Sequence, residues 1–355
     1  MSRHQVEYMG FPVRWSGTGV AIAAIAGLVT ALWVWQPAMV IPFTTSAGIT
    51  ALVGTVAVPL LQRLKTGQII RSDGPQAHLK KGGTPTMGGI YFVLIGLLLG
   101  LAYTKAAPLA IAVAATVLGF GAIGLLDDWT VIRQQSNKGI APKVKLGLQV
   151  FVAILVCVVF SQLNFLRTTL ALPLLGALPL GLLFWPLALF VLLGTNNAVN
   201  LTDGLDGLAA STVAIALVGL AIVVPHPDLA MMAVTLSGSC VGFLAHNRNP
   251  AKVFMGDTGS LALGGALAAI ALLGNCLWAL AIVGAVFIAE ALSVMLQVSY
   301  FKYTKRKFGE GQRLLRMSPL HHHLELGGWA ETTVVASLCG VTAVLGVVVY
   351  GLSLF

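Results

Sequence analysis

Short polar stretches interrupt an otherwise apolar chain, and their residue types suit the handling of charged phosphate groups. Asn196 to Ala209 reads Asn-Asn-Ala-Val-Asn-Leu-Thr-Asp-Gly-Leu-Asp-Gly-Leu-Ala, between two long apolar runs. Helical spacing puts Asn196, Asn200 and Asp203 on one face, with Asp206 three residues further along. Gly204 and Gly207 loosen the backbone and let it approach something closely. Unpaired carboxylates beside a bilayer cost several kcal/mol, so a mere polar turn between two helices explains them poorly.

Asp127-Asp128 closes another apolar run. Helical neighbours point about 100° apart, so one faces the site and the other an inner-loop base; spacing does not say which. A solvated helix end is a weak explanation, because carboxylates disfavour the negative end of the helix dipole. Asn247 to Ser260 places Asp257 among small residues just before a helix, with Thr258 and Ser260 able to cap it. A helix N-terminus suits phosphate, and an open carboxylate suits Mg²⁺. His321, His322 and His323 are adjacent and share no face of a regular element, which argues against a three-His metal site. One or two can reach a phosphate while the others hold the loop. His78 to Gly89 pairs two lysines with paired glycines, fitting an anion site and an ordinary basic loop about equally.

The elements that must position these residues are membrane helices. The chain is 57% hydrophobic and 9% charged with a mean hydropathy of +0.90, which no soluble domain of this length shows. Continuous apolar runs exclude a β-barrel. Cys157, Cys240, Cys276 and Cys339 stand singly, without a CxxC, so neither a disulfide framework nor a zinc site is expected. Gly119 to Gly124 matches GxGxxG but lies inside an apolar run, where small residues let helices pack closely. No P-loop is present. Glu290 lies within a span, where a hydrogen bond between helices is its expected role.

Runs of helix length fall at 18–36, 46–61, 87–103, 108–126, 146–163, 178–194, 208–224, 229–245, 261–273, 277–298 and 333–354. The second contains Pro59 and the ninth is short, so those two are the least secure. The first is read as a retained helix, with a signal peptide as the alternative. With the N-terminus inside, all Lys and Arg except Lys105 and Arg167 fall on inner segments, out of 21 in the chain. That split supports eleven spans, N-in and C-out, or ten if the first run does not cross. Among the aspartates only Asp228 falls outside, so the chemistry belongs to the inner face. The outer loops look short and featureless.

Together the patches resemble the polyprenyl-phosphate N-acetylhexosamine-1-phosphate transferase superfamily, of the glycosyltransferase family 4 type. The resemblance runs from about Ser46 to the C-terminus. It rests on Gly83-Thr-Pro-Thr-Met-Gly-Gly, Asp127-Asp128, Asn200-Leu-Thr-Asp-Gly-Leu-Asp-Gly, Phe254-Met-Gly-Asp-Thr-Gly-Ser and Pro319-Leu-His-His-His-Leu-Glu-Leu. The His-rich segment resembles the muramoyl-pentapeptide branch rather than the N-acetylglucosamine branch.

The resemblance implies an all-α, polytopic integral membrane protein of ten to eleven transmembrane helices with a cytoplasmic-face active site in the inner membrane. Residues 1–45 would form an N-terminal tail with an extra helix, and residues 46–355 the transferase domain. The implied reaction moves phospho-MurNAc-pentapeptide from its UDP carrier to undecaprenyl phosphate, giving UMP and lipid I, with Mg²⁺ as cofactor. Asp127, Asp128, Asp257, His321 and His322 are the implied catalytic residues, with Asp257 holding the metal. Lys81, Lys138, Lys145, Asn197, Asn200, Asp203, Gly204, Leu205, Asp206, Asn247, Phe254 and His323 would bind substrate. The partners are then UDP-MurNAc-pentapeptide, undecaprenyl phosphate and the lipid bilayer, with a second copy (a homodimer) as a further candidate and no nucleic acid. Val131 departs from the family, which often has a Lys there; Arg133 is the nearby cation. The rival reading is a secondary transporter, which also uses helices with polar breaks.

Overall fold

A computed structural model describes residues 16–64, 83–136 and 139–355. Lys81 and Lys138, with His78 and Lys80, lie outside the described residues. The helices are α1 (Gly17–Trp35), α2 (Val40–Arg63), α3 (Gly89–Tyr103), α4 (Pro108–Gln134), α5 (Pro142–Gln162), α6 (Phe184–Thr202) and α7 (Leu208–Val223). They continue as α8 (Pro227–Asn247), α9 (Gly256–Leu273), α10 (Leu277–Val283), α11 (Ala285–Phe308), the short α12 (Leu320–Glu325) and α13 (Glu331–Ser353). The chain is thus all-α apart from one small hairpin, and polytopic: nine helices among the described residues are long and apolar enough to cross a membrane.

Two further apolar helices, α3 and α7, have only 15 and 16 residues. At 1.5 Å per residue they reach about 22–24 Å, against about 30 Å of hydrocarbon. Each starts directly after a polar motif, α3 after the Gly83–Gly88 stretch and α7 after Asp203–Gly207. Irregular backbone stands where their first turns would be. Such backbone persists at membrane depth only where protein or a water-lined cavity satisfies it. The shortfall therefore marks the site.

The two spans held least secure are full helices. In α2, Thr44 and Thr45 return their hydroxyls to the carbonyls of Val40 and Ile41 at 2.8 Å each, so the polar start stays helical. The helix runs 24 residues and begins at Val40, ahead of the expected Ser46. Helix α9 begins at Gly256 rather than Leu261, because a carboxylate from another helix caps it. The run 277–298 is broken at Gly284 and extends to Phe308, where Lys305, Arg306 and Lys307 suit the negative end of the dipole. The run from Leu178 starts its helix only at Phe184. Its first residues form a strand (Gly176–Pro179) paired antiparallel with Thr169–Leu172, so this loop is not featureless.

Helices α8 and α9 are the buried centre, with 83% and 89% of their apolar windows inside the protein. Small residues permit this. A Cβ at Gly238 or Gly242 of α8 would overlap the carbonyls of Phe43 and Ala47 on α2. Helix α1 packs on α7 and α13, with Arg248 Nε donating to Thr18 Oγ1 at 3.1 Å and Trp35 stacked on Tyr350.

Candidate active site

The site gathers at the ends of α4, α5, α6 and α9. Gly124 of α4 lies so close to α9 that a Cβ there would overlap the Asp257 carbonyl, and Gly121 faces Ala262. The glycine pattern inside this run is therefore helix packing, and it draws Asp127 and Asp128 to the start of α9.

The two aspartates separate in role, but not as spacing implied. Among the described residues Asp128 meets no inner-loop base. Its Oδ1 accepts the Asp257 N–H at 3.1 Å, and its Oδ2 accepts the Thr258 N–H at 3.0 Å and the Thr258 hydroxyl at 2.6 Å. It is buried and satisfies orphan donors of α9 from outside the helix. Thr258 and Ser260 do not cap their own helix; the Ser260 hydroxyl donates to the Gly256 carbonyl at 3.1 Å.

Asp127 faces the site. Its Oδ1 accepts the Ile140 N–H at 2.7 Å, and its Oδ2 lies 3.4 Å from Lys145 Nζ. The same ammonium pairs with Asp257 Oδ2. Among the described residues, the cation meeting Asp127 and Asp257 is thus Lys145 of α5. Asp257 Oδ1 also accepts from Asn200 Nδ2 at 2.8 Å, and that amide reaches Ser260 Oγ at 2.9 Å. Asp257 keeps 25% of its side-chain surface open. A carboxylate pair around one ammonium, beside a helix N-terminus, is built to hold a cation and an anion together.

Asn196 and Asn200 share the α9-facing side of α6, as helical spacing requires; Asn196 Nδ2 donates to the Leu261 carbonyl at 2.6 Å. Asn197 donates to Gln149 Oε1 at 3.0 Å. Gln149 was not singled out in the sequence, although it lies one helical turn after Lys145 on the same face. Asp203 follows the last residue of α6. Burial raises its carboxyl well above the usual carboxylate range, and Asp257, Asp128 and Asp206 push it the same way.

Asp206 leaves this face. Its Oδ2 accepts from Asn249 Nδ2 at 3.1 Å and from the Ala251 N–H at 3.0 Å, while its own N–H donates to Glu331 Oε1 at 2.8 Å. Asn247 is tied to backbone at both ends, accepting the Gly207 N–H at 3.1 Å and donating to the Val253 carbonyl at 2.9 Å. Both residues shape the loops beside the site. Asn249 and Glu331 were also missed; an acid opening the last apolar run was their only signal. Leu205 is buried, and Phe254 is half-buried. The Phe254 N–H donates to the Pro85 carbonyl at 2.8 Å and its own carbonyl accepts the Gly88 N–H at 2.9 Å. Gly88 and Gly89 thus serve close packing on Phe254 and Gly259, whose atoms a Cβ would meet.

The three histidines have three separate partners. His321 lies against Glu290, His322 Nδ1 is 2.8 Å from Glu325 Oε2, and His323 Nδ1 accepts the Arg316 N–H at 3.1 Å. A Cβ at Gly204 would overlap the His321 ring, so the histidine segment abuts the break between α6 and α7. Among the described residues no group of three or more His, Cys, Asp or Glu converges as a metal cage.

Among the described residues, membrane helices thus converge a lysine and several carboxylates at one end, and the matching family is one of transferases. Residues 110–275 match the model of glycosyl transferase family 4. A phospho-N-acetylmuramoyl-pentapeptide-transferase of Synechococcus sp. (strain JA-2-3B'a(2-13)) is 59% identical over 93% of this chain and 95% of its own length. Relatives of the same name in Trichormus variabilis and Nostoc sp. are 53% and 54% identical, over 96% and 94% of this chain and of their own lengths. The chain belongs to the phospho-N-acetylmuramoyl-pentapeptide-transferase family.

Proposed function

We propose that the chain transfers phospho-MurNAc-pentapeptide from UDP-MurNAc-pentapeptide to undecaprenyl phosphate, releasing UMP and forming lipid I, at the cytoplasmic face of the inner membrane. The observation that carries it is the ammonium of Lys145 between Asp127 and Asp257. Phosphoryl transfer is mostly positioning and charge neutralisation, and a cation between two carboxylates at a helix N-terminus supplies both. Gathering the carboxylates at one end, instead of at the midplane, disfavours a transporter.

The donor set fits Mg²⁺. Lys145 stands in for a cation at Asp257, and Mg²⁺ commonly uses one or two protein carboxylates, completing its shell with water and substrate phosphate. Asp257 would hold it, and the metal would neutralise the diphosphate. Asn200 fixes the rotamer of Asp257, and Asp128 fixes its backbone. Asp127 takes a proton from the lipid phosphate, freeing an oxygen to attack the sugar-linked phosphorus. Phe254, pinned on both backbone sides, would stack on the uracil, and Asn197 and Asn200 of α6 would supply polar contacts to the nucleotide substrate.

Purified protein given labelled UDP-MurNAc-pentapeptide, undecaprenyl phosphate and Mg²⁺ should release UMP and label the lipid. Uptake of the nucleotide substrate into sealed vesicles with neither product would favour the transporter instead.

A further inference from the structure

Gln149 has no part in the reaction above, yet it is buried on α5 against the asparagines of α6. Its Nε2 donates to Asn196 Oδ1 at 3.2 Å and to Asn197 Oδ1 at 3.4 Å, while Asn197 Nδ2 donates back to Gln149 Oε1 at 3.0 Å. Asn196 Nδ2 in turn donates to the Leu261 carbonyl of α9 at 2.6 Å. Gln149, Asn196 and Leu261 thus join α5, α6 and α9, the three helices that also carry Lys145, Asn200 and Asp257.

The two sets are in register. Gln149 stands four residues after Lys145, Asn196 four before Asn200, and Leu261 four after Asp257. Helix α6 ends at the site whereas α5 and α9 begin there, so each step leads one turn, about 6 Å, away from it. The amides form the next rung behind the ionic one. Helices α6 and α9 are already in close contact, since a Cβ at Gly264 of α9 would overlap the Asn196 backbone. Helix α5 is not so held: 28% of its apolar window lies inside the protein, against 89% for α9. Where apolar packing is sparse, an amide that both donates and accepts across helices fixes height and rotation.

We propose that Gln149 is a positioning residue, setting α5 against α6 and α9 so that the Lys145 ammonium and the Asn200 amide meet Asp257 together. Without it, Asn196 and Asn197 lose their partner on α5 and that helix is free to turn or slide. Lys145 then leaves Asp257, while Asn200 stays, carried by the packed pair of α6 and α9. The effect on turnover rests on the transferase reading; the placement of Lys145 does not.

Two readouts test this. In the metal-free protein, acylation of Lys145 by an amine-reactive ester is followed by mass spectrometry, with the exposed Lys105 as internal reference. An ammonium between two carboxylates keeps its charge and acylates slowly, so Gln149→Leu should raise the Lys145 rate several-fold. In the UMP-release assay the same variant should lose roughly tenfold to a hundredfold in kcat, the usual penalty for removing a group that orients the ligands of a metal site. Gln149→Asn keeps the amide but stops one methylene short of α6, and should follow Gln149→Leu in both readouts; it carries the test if Gln149→Leu does not fold. In an Asn200→Ala background, where Asp257 has already lost its α6 partner, Gln149→Leu should cost less, whereas independent sites multiply their factors to within about twofold. Unchanged Lys145 acylation in a folded variant, near-normal kcat, or the same loss in both backgrounds would each overturn the proposal. A wild-type protein that makes no lipid product, while Gln149→Leu still exposes Lys145, would instead sink the transferase reading and leave the placement of Lys145 standing.

Discussion

Asp128 holds Asp257 by its backbone: the Asp128 Oδ1 accepts the Asp257 N–H at 3.1 Å from a different helix. A carboxylate set against the positive end of α9 lets that helix begin five residues earlier than its apolar run, with Asp257 in its first turn. Asp128→Ala should therefore lower stability by about 1–3 kcal/mol, the range for leaving a buried donor unsatisfied. Asp128→Asn, with one accepting oxygen left, should lose less. Thermal unfolding in detergent measures both, and activity should fall in the same order.

Asp257 and Asp127 should separate by metal dependence. Asp257→Asn should abolish turnover and raise the Mg²⁺ needed for any that remains. Asp127→Asn should cut turnover by about 10²–10⁴-fold, the usual contribution of a general base, with Mg²⁺ and nucleotide affinity nearly unchanged. Titrating Mg²⁺ against initial rate distinguishes them. If the 127 variant loses metal dependence and the 257 variant does not, the roles are reversed.

Glycine contacts give a steric test. A Cβ at Gly124 would overlap the Asp257 carbonyl, whereas one at Gly147 meets nothing within 4 Å. Gly124→Ala should part α4 from α9 and remove most activity, while Gly147→Ala should be neutral. Comparable activity of the two variants would mean that the helix spacing does not control the site.

Asp203 should give the fold a pH dependence. Its carboxyl is raised in the folded state by burial first, then by Asp257, Asp128 and Asp206. The native protein therefore keeps a proton that the unfolded chain releases near pH 3.9, the ordinary aspartate value. Stability from this group is fully present below that pH and is lost as pH rises through the raised native value. Asp203→Asn removes the effect, so its melting temperature relative to wild type should climb across that window and level off above it. A constant difference at every pH would refute this.

Much of this was legible in the sequence because membrane helices write themselves as apolar length. Seven of the site residues — Asp127, Asp128, Lys145, Asn197, Asn200, Asp203 and Asp257 — do gather at the ends of α4, α5, α6 and α9. What remained hidden was who partners whom. Neighbouring aspartates look alike in a sequence, and only the approach of α9 made Asp128 a cap and Asp127 an open carboxylate. Gln149 is a lone amide in an apolar run until Asn196 and Asn197 turn towards it. Asp206 and Asn247 carry the chemistry of a binding residue, yet Asn249, Glu331 and the loop backbone engage them. The helices starting at Val40 and Gly256 were misjudged because hydropathy cannot see a hydroxyl bonding back to its own helix or a cap arriving from elsewhere.

Lys145 makes the resting centre its own counter-ion reservoir. With its ammonium shared between Asp127 and Asp257, neither of these two carboxylates waits unpaired for substrate. Under the proposed reaction, Asp257 would give up the ammonium to hold the metal of an entering diphosphate, and Lys145 would turn to the phosphate. Charge is traded at depth rather than carried into it, so loading the centre proceeds as an ion exchange. Nucleotide affinity should accordingly follow the concentration of competing cations in solution, as it does on an exchange resin.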